Sequence, residues 1–277
     1  MPLFPASRLN YGINELKMAP SRMVLESQTP WSHPLLYDDK MPISMHVDGL
    51  AACSLYMAKN NTNIKFVLRH IRLRVNALLA NPSPSTPLDI LSRAQALLLY
   101  LIILVFDGDV RDNTILARAQ AETAISQLES FALSIQSLLN QEEETIPSTF
   151  PVYPSGLAKT AWKDWIFLES ARRTFLICYL FLSLYHSIKG NGPYCHDHPN
   201  ITTEWTASAH LWNSSSVFDF TVAWREKRHL VIRNLDHTPL LLDGDPSEVD
   251  IFGRIVIITQ LGIDDARGWF HSRGGCL

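Results

Sequence analysis

The strongest constraint in this chain is a stretch where charged residues sit inside a helical apolar pattern. Trp162-Lys-Asp-Trp165-Ile-Phe-Leu-Glu169-Ser-Ala-Arg172-Arg173-Thr174 leads without a break into Phe175-Leu-Ile-Cys-Tyr-Leu-Phe-Leu182. At 3.6 residues per turn, Trp162, Trp165 and Glu169 share one side, and Glu169 reaches Arg172 and Arg173 three and four positions later. Read by period alone, this is an amphipathic core helix with a surface ion pair. The flanking tryptophans argue instead for partial burial of the Glu169–Arg173 pair. The difference matters: an exposed pair is worth about 0.3–0.5 kcal/mol, whereas breaking a buried one costs about 3–5 kcal/mol.

Helical patterns dominate the rest of the chain. Residues 43–58 come first, then 63–80, where Val67, Leu68, Ile71, Val75 and Leu78 form one stripe. A proline-rich break follows. Thr86 is placed to cap the next helix, with Pro87 at its first position and Asp89 near its positive end, and that helix runs to about Phe106. Further helices are expected at 112–140, 157–188, 203–212 and 215–229. A last one, opened by a capping box at Asp245-Pro-Ser-Glu248, extends to about Phe270. Val231-Ile-Arg233 is the one candidate short strand, and no alternation demands a larger sheet. The expectation is an all-α domain of roughly eight to ten helices over 42–277. Residues 1–41, rich in proline and polar side chains, read as an extended lead-in partly ordered around Trp31 and Tyr37. The core is expected to include Trp165, Leu176, Tyr179 and Leu180, joined by Leu98 and Leu101.

Composition narrows the function classes. At 277 residues with 47% hydrophobic and 18% charged side chains, the chain buries a core without disulfides or metal. Its net charge of −3 lacks the basic excess of a surface that grips phosphate backbone. The helical face around Lys65, Arg69 and Arg72, with His70 and Arg74 nearby, is the exception. It reads first as a solvated face and second as a surface for an acidic partner. The apolar runs Ala96–Phe106 and Phe175–Leu182 are shorter than the ~20 residues of a membrane span and read as buried helices of a soluble protein. Cys53 and Cys178 sit in apolar helical patterns as core residues, and the cysteines, widely separated, suit a reducing compartment.

Sites of chemistry are sparse. Cys195-His-Asp-His198 is the densest set of metal-ligand types, but adjacent side chains in a Gly/Pro loop converge poorly on one ion. Asp243-Gly-Asp245-Pro-Ser247 departs from a calcium loop and reads better as a helix cap. Asp264-Asp265 lacks the further carboxylate of a magnesium site. No glycine-rich phosphate loop, nucleophile elbow or His-Glu-x-x-His is present, so no catalytic, cofactor or metal residue is assigned. Trp205, Trp212, Trp224 and Trp269 read as core residues that also suit the lining of an apolar ligand pocket.

The order W-x2-W-x3-E-x2-R-R-T resembles the regulatory domain of fungal transcription factors, an all-helical module. Further blocks carry the resemblance: His33-Pro-Leu-Leu-Tyr37, Ala51-Ala-Cys-Ser-Leu-Tyr56, Arg93-Ala-Gln95-Ala-Leu-Leu-Leu-Tyr100 with Phe106-Asp-Gly-Asp109, Phe218-Asp-Phe-Thr-Val-Ala-Trp224-Arg225 and Ile263-Asp-Asp-Ala-Arg267-Gly-Trp269-Phe270. Together they span about residues 30–275 in the family's order. The resemblance makes Trp162, Trp165, Glu169, Arg172 and Arg173 structural signature residues. It implies a non-enzymatic regulator of transcription, such as one for a metabolic gene cluster, located in the nucleus, or otherwise in the cytoplasm. It also implies a small-molecule effector, and a homodimer or a partner transcription factor. Such factors carry zinc in a head that precedes the helical domain. The four cysteines here cannot supply six thiolates, and no close pair starts a Cys2His2 finger. No cofactor is therefore expected in this chain, no direct DNA binding and no membrane association; zinc belongs only to a missing N-terminal segment. The chain is read either as a fragment or as a headless form, including a co-regulator that binds a full-length factor. A small-molecule enzyme on a helical scaffold is the remaining alternative.

Overall fold

A computed structural model describes residues 6–37, 48–107, 115–141, 149–190 and 204–277. Among them the helices are α1 (Ala6–Lys17), α2 (Ala19–Glu26), α3 (Leu50–Met57), α4 (Ile64–Ala80), α5 (Pro87–Phe106), α6 (Ile115–Gln141) and α7 (Gly156–Ile188). Then follow β1 (Glu204–Ala207), α8 (Ala209–Trp212), α9 (Val217–Glu226), β2 (Leu230–Arg233), α10 (Thr238–Asp243), α11 (Ile251–Leu261) and α12 (Ile263–Ser272). The fold is multi-helical with one antiparallel ribbon, in which Trp205 stands opposite Ile232. Twelve α-helices among the described residues exceed the eight to ten expected.

The centre is built from α5, α6 and α7, each packed on the other two. α5 begins as its sequence dictates: the Thr86 hydroxyl accepts from the Asp89 N–H at 3.1 Å, and Pro87 occupies the first turn. By length and composition α5 suffices to cross a membrane, which the count of its uninterrupted apolar run understated. Here it is a core helix, with 67% of its most apolar window buried. Leu98, Leu101, Trp165 and Leu176 are buried as expected, while Tyr179 and Leu180 are only partly covered.

Three readings are corrected by local physics. Residues 6–26 are not extended: α1 and α2 are docked helices, and Leu16, Ala19 and Met23 belong to the main core. A Cβ added at Gly12 would meet Leu184 Cδ1 and Thr259 Cγ2 at 3.2 Å, so α1 lies very close to α7 and α11. The expected helix at 203–212 opens as strand β1, because Glu204, Trp205 and Thr206 pair with the short strand foreseen at 231–233. The long final helix is three pieces. The capping box at Asp245 and Glu248 forms, but it closes only one 3-10 turn, Pro246–Glu248. Asp250 caps α11 by accepting from the Gly253 N–H at 2.9 Å, and Gly262, at φ +104°, ends it before α12. Arg8 of α1 reaches across to cover that end, donating to the Leu261 carbonyl at 2.6 Å.

A buried charged junction and its neighbouring cleft

α7 threads two apolar clusters. Its first half packs Ala158, Trp162, Trp165 and Ile166 against Phe150, Leu211, Trp212 and Phe220. Its second half, from Ala171 to Tyr185, belongs to the main core. Glu169, Arg172 and Arg173 lie at the seam between them.

Glu169 and Arg173 are fully buried, not half-exposed as their flanks suggested. Arg173 Nε donates to Glu169 Oε1 at 2.9 Å, and Nη1 donates to Asp250 Oδ2 at 2.5 Å. The remaining donors reach the Pro30 and Thr206 carbonyls, each at 3.3 Å. The guanidinium stands 3.8 Å from the ring centroid of Trp212 and 4.8 Å from that of Phe252. Glu169 Oε1 also accepts the Thr206 N–H at 3.0 Å, and Oε2 lies 3.7 Å from Arg172 Nη1. Two arginines and two carboxylates therefore neutralise one another; the Arg173 donors find acceptors, while Glu169 Oε2 is held by the charge of Arg172 with no hydrogen bond among the described residues. This is the condition under which buried charge is tolerated.

One side chain thus fastens four distant parts of the chain to α7: the turn at Pro30, strand β1, helix α8 and the start of α11. The neighbouring polar residues extend the same fastening. Tyr37 donates to Gln95 at 2.6 Å, and Gln95 donates to Thr174 at 2.9 Å. His33 stands edge-on to Trp162 and Trp212, with centroids 6.5 and 5.2 Å away. Burial pushes its imidazole down to about 4, aided by nearby Arg173 and opposed by a hydrogen bond to the Trp212 backbone. At the far end of α5, Asp107 ties α1 and α3 to it: Lys17 and Lys59 approach at 2.6 and 2.5 Å, and Tyr56 donates its hydroxyl. Burial alone would raise the Asp107 carboxyl, but these three partners bring it down to about 2.

Asp250, Thr206 and Gln95 were missed as members of this network. Asp250 had a legible signal, an acidic residue just before the apolar run Ile251–Leu261, but the stronger box at Asp245 drew the cap there. The other candidates do not converge. Trp205 packs on Phe252 at 5.1 Å, Trp224 on Phe220 at 5.3 Å, and Trp269 donates its indole N–H to the Leu241 carbonyl at 2.9 Å. Trp212 alone of these four borders the cleft described below. Asp264 and Asp265 occupy the exposed first turn of α12. The Cys195–His198 cluster lies outside the described residues, and among those described no three His, Cys, Asp or Glu side chains gather around a common point. Cys53 and Cys178 are buried core residues, their thiols pushed up by burial, that of Cys53 to about 12. On α4, Lys65 and Arg69 are exposed, and Arg74 pairs with Asp48.

Beside the junction lies an open cleft of about 340 Å³. Arg22, Thr29 and Pro30 form one wall, Trp212 and Asn213 a second, and Asp250, Phe252 and Arg254 a third. Its lining shares Pro30, Trp212, Asp250 and Phe252 with the surroundings of Arg173.

Across 270 residues the chain is 28% identical to Transcription factor gsfR2 of Penicillium aethiopicum, a match covering 96% of this chain and 63% of that protein. The chain thus spans less than two thirds of the relative's length. It matches no protein-family profile and no solved structure.

Proposed function

We propose that this chain is the helical regulatory domain of a fungal transcriptional regulator, acting in the nucleus and not as an enzyme. The observation that carries the reading is the similarity to a fungal transcription factor along nearly the whole chain. The seam supports it, since residues picked out by the family's sequence order lie in contact there. Tyr37 meets Gln95, His33 stands edge-on to Trp162, and Glu169 pairs with Arg173. A domain whose ends are fastened through one charged junction is suited to passing a binding event between distant surfaces.

Direct sequence-specific DNA binding is not part of the reading. The chain has a net charge of −3 and lacks the cysteines for a binuclear zinc cluster. A titration against promoter and scrambled duplexes at physiological salt should show no preference between them. The functional test is a reporter assay with the chain fused to an unrelated DNA-binding domain. Reporter output should change on recruitment, and an Arg173→Met variant should lose the effect. Unchanged output on recruitment of the folded wild-type chain would refute the reading.

A further inference from the structure

We propose that the cleft between α2, the turn at Thr29–Pro30, α8 and the start of α11 binds a small organic acid with a flat apolar body. The inference rests on the regulatory reading only in calling that acid an effector.

The cleft is within the size range of small-molecule sites. The more enclosed of its two acidic groups, Asp250, is already paired with a cation. Asp250 gives one oxygen to Arg173 and the other to the Gly253 N–H, and Glu26 accepts from Gln28 at 3.2 Å. One of its basic groups keeps a donor in reserve. Arg22 spends Nη2 on Glu15 at 3.0 Å, while its buried Nη1 has no hydrogen-bond partner among the described residues. Arg254 lines the cleft as well, its guanidinium 5.1 Å from the ring of Phe270. Thr29 is 2% exposed, and its buried hydroxyl likewise has no partner among the described residues. A buried donor left unpaired costs about 1–3 kcal/mol, which an incoming acceptor recovers. The two arginines converge on the same region. Both line the cleft, Arg22 from α2 and Arg254 from α11. An unused cationic donor beside an engaged carboxylate selects an anion. Pro30, Val249, Phe252 and Trp212 supply contact for its apolar body.

The occupant would touch Trp212, the indole that stacks on Arg173. Binding would therefore meet the charged junction directly.

The test titrates the purified full chain with naphthoate and with its uncharged counterpart naphthylmethanol, read by calorimetry and by tryptophan emission. Naphthoate should bind saturably, and the alcohol should bind at least about tenfold more weakly, a difference of about 1.4 kcal/mol. Arg254→Gln should weaken naphthoate by about tenfold or more, and Thr29→Val severalfold, with the circular-dichroism spectrum unchanged. Arg22→Gln should do the same. If loss of the Glu15 pair unfolds that variant, Arg254→Gln and Thr29→Val decide the question. Absence of saturable naphthoate binding, equal affinity for acid and alcohol, or wild-type affinity in a folded Arg254→Gln chain would overturn the proposal. The recruitment assay uses no added ligand, so a failure here is separable from failure of the regulatory reading.

Discussion

At the residue scale, the chain concentrates its risk in a few buried polar side chains. Glu169→Gln removes one carboxylate from the balanced set and leaves Arg172 and Arg173 short of a counter-charge. Because the pair has no solvent to fall back on, the loss should be about 3–5 kcal/mol, measured as a shift in the urea midpoint. A surface pair would lose a few tenths, and the tryptophans that pointed to partial burial understated the enclosure. His33 provides a second test through pH. Its folded-state value of about 4 lies below the ordinary 6.5, so between those values the unfolded chain binds a proton that the fold excludes. This contribution is complete above about pH 6.5 and is lost as pH falls toward 4, amounting to about 3 kcal/mol. His33 Nδ1 accepts the Leu35 N–H at 3.1 Å, a role that an asparagine oxygen can take over. Denaturation midpoints of His33→Asn at pH 7 and pH 5 should therefore lie closer together than those of the wild type. An equal pH dependence would mean that another group controls the acid limb.

At the scale of elements, legibility followed how local the determining interaction was. The Thr86 cap and the stripe on α4 are set by residues within a turn or two, and both were readable. β1 was not: Glu204–Ala207 becomes a strand because Leu230–Arg233 comes alongside and because Glu169 accepts the Thr206 N–H. Nothing within the segment 203–212 carries that information. α1 was hidden for a related reason. A short, largely polar segment with glycine at its centre looks unfit for a core, until Leu184 and Thr259 come within reach of Gly12. In the candidate site, the i+3 and i+4 spacing of Glu169, Arg172 and Arg173 was visible, whereas Asp250, far along the chain, was not. The break between α11 and α12 makes an element-scale prediction. Gly262 sits at φ +104° and ψ 161°, backbone that is nearly reserved for glycine. Gly262→Ala should cost of order 1–3 kcal/mol in thermal or urea unfolding, and an unchanged midpoint would show that the two helices can rejoin differently.

For the whole molecule, α1, α2 and the turn through Tyr37 are packed into the domain and are not an extension of it. α1 contacts α5, α7 and α11, and Trp31 and Tyr37 are buried beside Gln95. Removal of residues 1–27 should therefore abolish a single sharp thermal transition, whereas an extended lead-in would be dispensable; differential scanning calorimetry separates the two. Arg173 fastens the turn at Pro30, strand β1 and the start of α11 to α7 as one unit. Hydrogen exchange of Arg173→Met against the wild type tests it most directly. Concerted loss of protection is expected at residues 31–33, 204–207 and 250–254, with α5 and α6 retaining theirs. Loss confined to α7, or spread evenly over the whole chain, would contradict it.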